Sequence, residues 1–287
     1  MLDLSLSIFF SSLIFVIFKL FDTHKVQTLY AIIINYMTAC LVGVLFYNRP
    51  VKLYEIPEND WFYGTLFLGV LFILIFNLMA KTAQRLGVSV ASVATKMSFV
   101  IPVILGLILY SEKLSFLKSL GIILAMAAVY FASVKDTPRA IQRKSLLLPI
   151  VVFLGSGIID ASIKYMQENH ISPNEFALFS ATVFGTAALT GVLFILLKSF
   201  DKPLKLNFKN VLGGIALGIP NFFSIFFLLR ALQNEGLNSA SIFTINNVAI
   251  VMFSTLLGIL LFKEKISAKN WGGIVMAVIS IMLVTFF

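Results

Sequence analysis

The chain has 287 residues, of which 59% are hydrophobic and only 12% charged, with a formal net charge of +9 and a mean hydropathy of +0.98. A soluble domain carries about a quarter charged residues, so the composition excludes one and places the chain in a bilayer. There, apolar runs of about 20 residues are helices, because the backbone has no water to bond. The positive charge does not point to nucleic acid, since the Lys and Arg residues sit in short connections between apolar runs and not on one soluble face.

Ten apolar segments follow one another, at about 2–21, 27–47, 61–83, 88–110, 115–134, 146–167, 173–198, 208–232, 238–262 and 268–287. The first is not read as a cleaved leader: Asp3 stands where a basic residue is needed, the apolar run is too long, and no small-residue cleavage site follows. Segment 2 holds the single cysteine, Cys40, so no intrachain disulfide is possible; His24 and His170 each stand alone, and no metal or other cofactor is expected. Tyr47, Tyr54, Trp61, Tyr63, Tyr110 and Trp271 mark segment ends and are expected in the headgroup layer. The polar stretch KDTPRAIQRKS at 135–145 divides the chain into 1–138 and 139–287. The Phe residues of segments 8 to 10 read as lipid-facing or packing side chains.

The two parts are related. At an offset of 149, Lys81 meets Arg230, Gln84 meets Gln233, Gly87 meets Gly236 and Thr95 meets Thr244. At an offset of 152, Gly106, Glu112, Lys113, Ser115 and Gly121 meet Gly258, Glu264, Lys265, Ser267 and Gly273. Segments 1 and 6 align at 145 through Ser11 with Ser156 and Lys19 with Lys164. Each part then holds five helices, an odd number, so the second enters the membrane from the opposite side. The expected fold is an all-α integral membrane protein of ten transmembrane helices in two inverted five-helix repeats.

A central Lys or Asp costs about 2.5–3.5 kcal/mol on insertion scales, so polar residues at membrane depth need a reason. Asp160 precedes Lys164 by four residues, which allows local neutralisation; it also allows Asp160 to face an aqueous cavity and meet a substrate amine, a proton or Lys96. Lys96 has no acidic partner in its own segment and either snorkels or faces the same cavity. Asn77, Asn221, Asn246 and Asn247 complete the candidate substrate-binding set, each with interhelical bonding as the alternative. Asn221 follows Pro220 in segment 8; Asn246 and Asn247 fall where the offset jumps in segment 9, whose counterpart in segment 4 contains Lys96 and Pro102, and an irregular helix at either place is expected to line a cavity. The Glu112-Lys113 and Glu264-Lys265 pairs read as solvated turns, with Ser115 and Ser267 as the following N-caps and Gly121 and Gly273 at close helix contacts. No phosphate loop, zinc-protease helix or nucleophile elbow occurs, so no enzyme is indicated.

With its repeated small residues, Pro102, Gly106, Glu112-Lys113-x-Ser115 and Gly121, the chain resembles the EamA branch of the drug/metabolite transporter superfamily over nearly its whole length. The resemblance departs at Ser254, which stands where the first half has Pro102. It implies a multi-pass carrier of the bacterial inner membrane that works by alternating access through a central cavity and exports small organic metabolites such as amino acids. It also implies cytoplasmic termini, whereas the excess of Lys and Arg after odd-numbered segments puts the termini outside. The expected partners are a small-molecule substrate and the lipid bilayer, with proton coupling through Asp160 open, no nucleic acid, and a monomer sufficient. The alternative is a non-transporting membrane scaffold or sensor.

Overall fold

The computed structural model describes residues 2–47, 54–110, 115–133, 139–172, 175–199, 207–232 and 239–286. Its helices are α1 (Leu2–Thr23), α2 (Thr28–Leu45), α3 (Phe62–Leu86), α4 (Val88–Met97), α5 (Val100–Tyr110), α6 (Phe116–Ser133), α7 (Arg139–Asn169), α8 (Phe176–Ser199), α9 (Phe208–Leu232), α10 (Ser239–Phe262) and α11 (Ala268–Phe286). A short 3-10 turn at Ile56–Glu58 precedes α3, and no strand occurs among the described residues. Among the described residues eight stretches are long and apolar enough to cross a membrane, with α4 and the start of α5 forming one of them. Two shorter apolar stretches, Ser119–Ala132 and Ala268–Val284, lie in α6 and α11.

Glycines decide which helices approach closely. A Cβ on Gly121 would meet Val284 at 2.6 Å, and one on Gly273 would enter the backbone at Phe131 and Ala132. These two glycines make α6 and α11 a pair, which Ser280 ties further by donating to Gly121 O at 2.7 Å. Gly214 and Gly218 do the same between α9 and α2, where a Cβ would stand 2.7 Å from Ala31 O and Asn35 O. Small residues matter here because lipid tails compete with apolar side chains, so close packing and hydrogen bonds drive association. In the interior, Tyr36 donates to Phe72 O at 2.9 Å within a set of rings that includes Phe76 and Phe184.

Four expectations change. Trp61 is no headgroup anchor: it is 1% exposed and packs edge-on against Phe179, whereas Tyr63 and Tyr54 are 77% and 71% exposed. The stretch 139–145 is not a loop but the start of α7, since ArgAlaIleGlnArgLys is rich in good helix formers with no glycine or proline. Of the two segments expected to be irregular only segment 4 breaks: the chain turns at Ser98–Phe99 between α4 and α5, while α10 runs unbroken past Asn246 and Asn247. Glu264 is half-buried and engaged, not left in a solvated turn; its role is described below. Ser267 is the predicted N-cap: its Oγ accepts the Asn270 N–H at 3.2 Å, and Asn270 Oδ1 accepts Ser267 N–H in return. Glu112, Lys113, Gln233 and Gly236 lie outside the described residues.

Candidate functional site

Pro102 has no N–H to give the carbonyl of Ser98, four residues back, and that carbonyl instead accepts the Ile101 N–H at 2.9 Å in a tighter turn. One helix becomes two. The break creates a helix C-terminus at Met97 and a helix N-terminus at Val100 inside the bundle, each with its partial charge. Lys96 lies in the last turn of α4, where the dipole favours a cation. Asp160, from α7, lies next to the break: Ser98 Oγ is 3.0 Å from Asp160 Oδ2 and 2.6 Å from Thr95 O, so its single proton serves one acceptor at a time. Lys96 and Asp160 attract one another across this junction.

The outer side of α7 carries Leu147, Leu154 and Ile158, all exposed. Asp160 lies about 200° around the helix from Ile158, on the face that buries Val152, Phe153 and Ser156. Yet Asp160 is itself exposed. A carboxylate on the inward face of a helix, bonded to Ser98 at the break, is turned toward the bundle and not toward lipid. Asn247 repeats the arrangement on α10, half-buried and about 200° around from exposed Ile245, on the face of buried Val251 and Ser254.

The other candidates stand elsewhere. Asn221 is 3% exposed and donates to Asn35 Oδ1 at 3.2 Å, a buried amide pair that joins α9 to α2. Asn246 is 2% exposed and accepts from Ser7 Oγ at 3.2 Å, and Ser7 also meets Ser224 O at 2.9 Å, which ties α1, α9 and α10. Asn77 lines a separate cavity near the end of α3 and donates to its own helix at Ile73 O. The six predicted residues therefore resolve into Lys96, Asp160 and Asn247 on inward faces, two interhelical ties, and one outlying position. Ser98 was missed, although the proline four residues later signals it.

One end of the bundle is fastened across the junction of the two halves. Glu264 Oε1 accepts the Val88 N–H at 2.7 Å, and Ser89 Oγ donates to Oε2 at 3.3 Å, so a carboxylate from beyond α10 caps α4. Gly87, the single link between α3 and α4, has φ +118°, and a Cβ there would lie 2.9 Å from that carboxylate. Lys19 donates to Gln84 O at 2.7 Å at the C-terminus of α3. On this side of the break α4 packs against α10, α7, α3, α6 and α1; beyond the break α5 packs against α7.

The model of the EamA-like transporter family matches residues 2–134 and again 143–286. The chain belongs to this family. It is a multi-pass membrane protein built from two EamA units, in a family of transporters. A protein of Haemophilus influenzae (strain ATCC 51907 / DSM 11121 / KW20 / Rd), described as an uncharacterized protein, is 31% identical over 260 residues, covering 88% of this chain and 86% of that one. A solved crystal structure shares the fold at 14% identity, with a TM-score of 0.59 over 98% of this chain and 94% of its own.

Proposed function

We propose that this EamA protein is a secondary transporter of small organic metabolites that carry an ammonium group, amino acids among them, and that it works as an exporter in a bacterial inner membrane. Its ten spans form two inverted five-helix repeats, 1–138 and 139–287, with α4 and α5 counted as one span. The observation that carries the reading is Asp160: a carboxylate exposed on the inward face of α7 beside a helix break. Broken helices at membrane depth persist where they line a cavity, and transporters place their binding sites there.

In this reading the substrate ammonium meets Asp160, its other polar end meets Lys96, and Ser98 and Asn247 supply neutral hydrogen bonds. The Glu264 cap holds the cavity shut at the Gly87 end while α5 diverges toward the other. Transport then requires the cap to open as the halves rock. One chain contains both halves, so a monomer suffices, and no cofactor is called for.

Counterflow in proteoliposomes loaded with amino acids and small metabolites, read by mass spectrometry, tests this. Selective exchange of one solute class is expected, lost in Asp160→Asn and weakened in Lys96→Ala. Exchange unaffected by both changes would remove the site assignment. A pH gradient across the same vesicles tests whether Asp160 trades substrate for a proton.

A non-transporting scaffold is the second reading, and the buried pairs at Asn221 and Asn246 favour it. Single cysteines at 96, 160 and 246, placed after Cys40 is replaced, separate the two. A membrane-impermeant thiol reagent should label 96 and 160 and spare 246. Protection of all three would support the scaffold.

A further inference from the structure

The cavity that holds Asn77 is distinct from the central site. It measures about 560 Å³ and lies where the end of α3 meets the turn between α1 and α2. Along α3, Tyr63, Phe67, Val70 and Leu74 form an exposed apolar stripe at steps of three or four residues. The same stripe continues through Leu78 to Lys81 and Arg85, both exposed and both lining the cavity. Lys81 and Arg85 are four residues apart, one helical turn, and Arg85 precedes the last residue of α3. A lipid-facing stripe that ends in two cations beside a cavity lies at the depth of lipid phosphates.

The cavity's chemistry narrows the occupant. Leu29 and Leu78 give it apolar wall, and Asn77 has its amide N–H on Ile73 O, which leaves its Oδ1 as an acceptor. Gln84 has its amide on Phe18 O and Thr28 Oγ1. The anion donor is therefore Lys81, while Asp22 adds a carboxylate acceptor to the lining. A cation for a phosphate next to acceptors for a donor describes a headgroup that carries both.

We propose that this cavity is a binding site for a glycerophospholipid whose headgroup bears hydrogen-bond donors beside the phosphate, as ethanolamine and glycerol headgroups do. Lys81 holds the phosphodiester, Asp22 and Asn77 accept from the headgroup, and the acyl chains lie along the α3 stripe. A choline headgroup has no such donor and fits poorly. Free phosphate lacks the chains that the stripe covers.

The test is native mass spectrometry of the full chain, delipidated and then titrated with phosphatidylethanolamine, phosphatidylglycerol or phosphatidylcholine of identical acyl chains, with inorganic phosphate as competitor. The first two should be retained over phosphatidylcholine, and phosphate should not displace them. Lys81→Gln should lower retention of both about fivefold, which corresponds to about 1 kcal/mol per cation at a membrane surface. Asp22→Ala should lower phosphatidylethanolamine retention by removing the acceptor for its ammonium, and lower phosphatidylglycerol retention less, because there the lost acceptor is offset by the loss of a repelling charge. Lys81 and Asp22 are exposed, so both variants should elute as the parent does on size exclusion. Equal retention of all three lipids, or retention unchanged in Lys81→Gln, would overturn the site and leave only the unspecific lipid annulus; the counterflow assay is independent of either result.

Discussion

Segment 4 and segment 9 descend from one pattern, and they differ in structure at one position. In the first half, α4 and α5 are separated by a turn at Ser98–Phe99; in the second, α10 is continuous from Ser239 to Phe262. Pro102 in the first half corresponds to Ser254 in the second. Ser254 is fully buried, keeps its N–H for the helix, and turns its hydroxyl back to Val251 O at 3.2 Å. The comparison teaches that the asymmetry of the candidate site comes from backbone hydrogen bonding and not only from side chains. The first half uses its helix break to place Ser98 and Lys96 about Asp160, while the second presents Asn247 from a regular helix.

The severest way to break this comparison is to impose the first half's proline on the second. Ser254→Pro removes a hydrogen bond in the middle of α10 and drives a ring into the preceding turn, at a site with no room. A loss of about 3 kcal/mol or more is expected, read as a large fall in the thermal unfolding midpoint or failure to yield folded protein. A variant as stable as the parent would mean that α10 tolerates a break as α4–α5 does.

Next in size is Gly87→Ala, at the link that joins α3 to α4. Its φ of +118° with ψ 161° belongs to glycine, and the new methyl would press on the Glu264 carboxylate at 2.9 Å. The expected cost is about 1–3 kcal/mol. Combining it with Glu264→Ala should recover the steric part alone, so the double variant stays below Glu264→Ala in stability. Full recovery would show that contact, and not backbone conformation, demands the glycine.

Much of this architecture was legible beforehand. Run length and hydropathy gave the segments, and the duplicated Gly, Glu-Lys, Ser and Gly positions pointed to two related units. Gly121, Gly273 and Ser267 do what their spacing implied. Which polar residue faces the cavity was not legible. Asn221, Asn246 and Asn247 look alike in sequence, and only the rotation of each helix separates a buried tie from a half-buried inward group. The break in segment 4 was signalled by Pro102, and none appears in segment 9 because an insertion in a helix can be absorbed as added length; α7 and α9 run on past Pro149 and Pro220, so a proline alone does not compel a break. Glu264 was read as solvated because its partner, the N–H of Val88, lies 176 residues away in the chain.

Pro102→Ala approaches the comparison from the other side. It returns an N–H that can reach Ser98 O, letting α4 and α5 fuse as α10 does. A gain of about 1 kcal/mol is expected from the added backbone bond, seen as a modest rise in unfolding temperature. Counterflow should fall in the same variant, since a continuous helix draws the Ser98 hydroxyl from Asp160. Unchanged transport with raised stability would separate the break from function.

The smallest effect concerns the tie that holds the halves together away from the cavity. Asn35 on α2 and Asn221 on α9 are both buried and bonded amide to amide at 3.2 Å, beside the close contact at Gly218. Membrane burial suggests a strong interaction, but the unfolded chain in a bilayer also finds partners for its amides, so the measured coupling of such pairs averages about 0.6 kcal/mol. A double-mutant cycle of Asn35→Ala and Asn221→Ala, followed by unfolding in mixed micelles, should return a coupling of about that size. Transport should survive in Asn221→Ala if the cavity is organised around Asp160. A coupling several times larger, accompanied by loss of exchange, would move Asn221 from the framework into the transport pathway and make the α2–α9 seam, in place of the α4–α5 break, the place where the halves work on substrate.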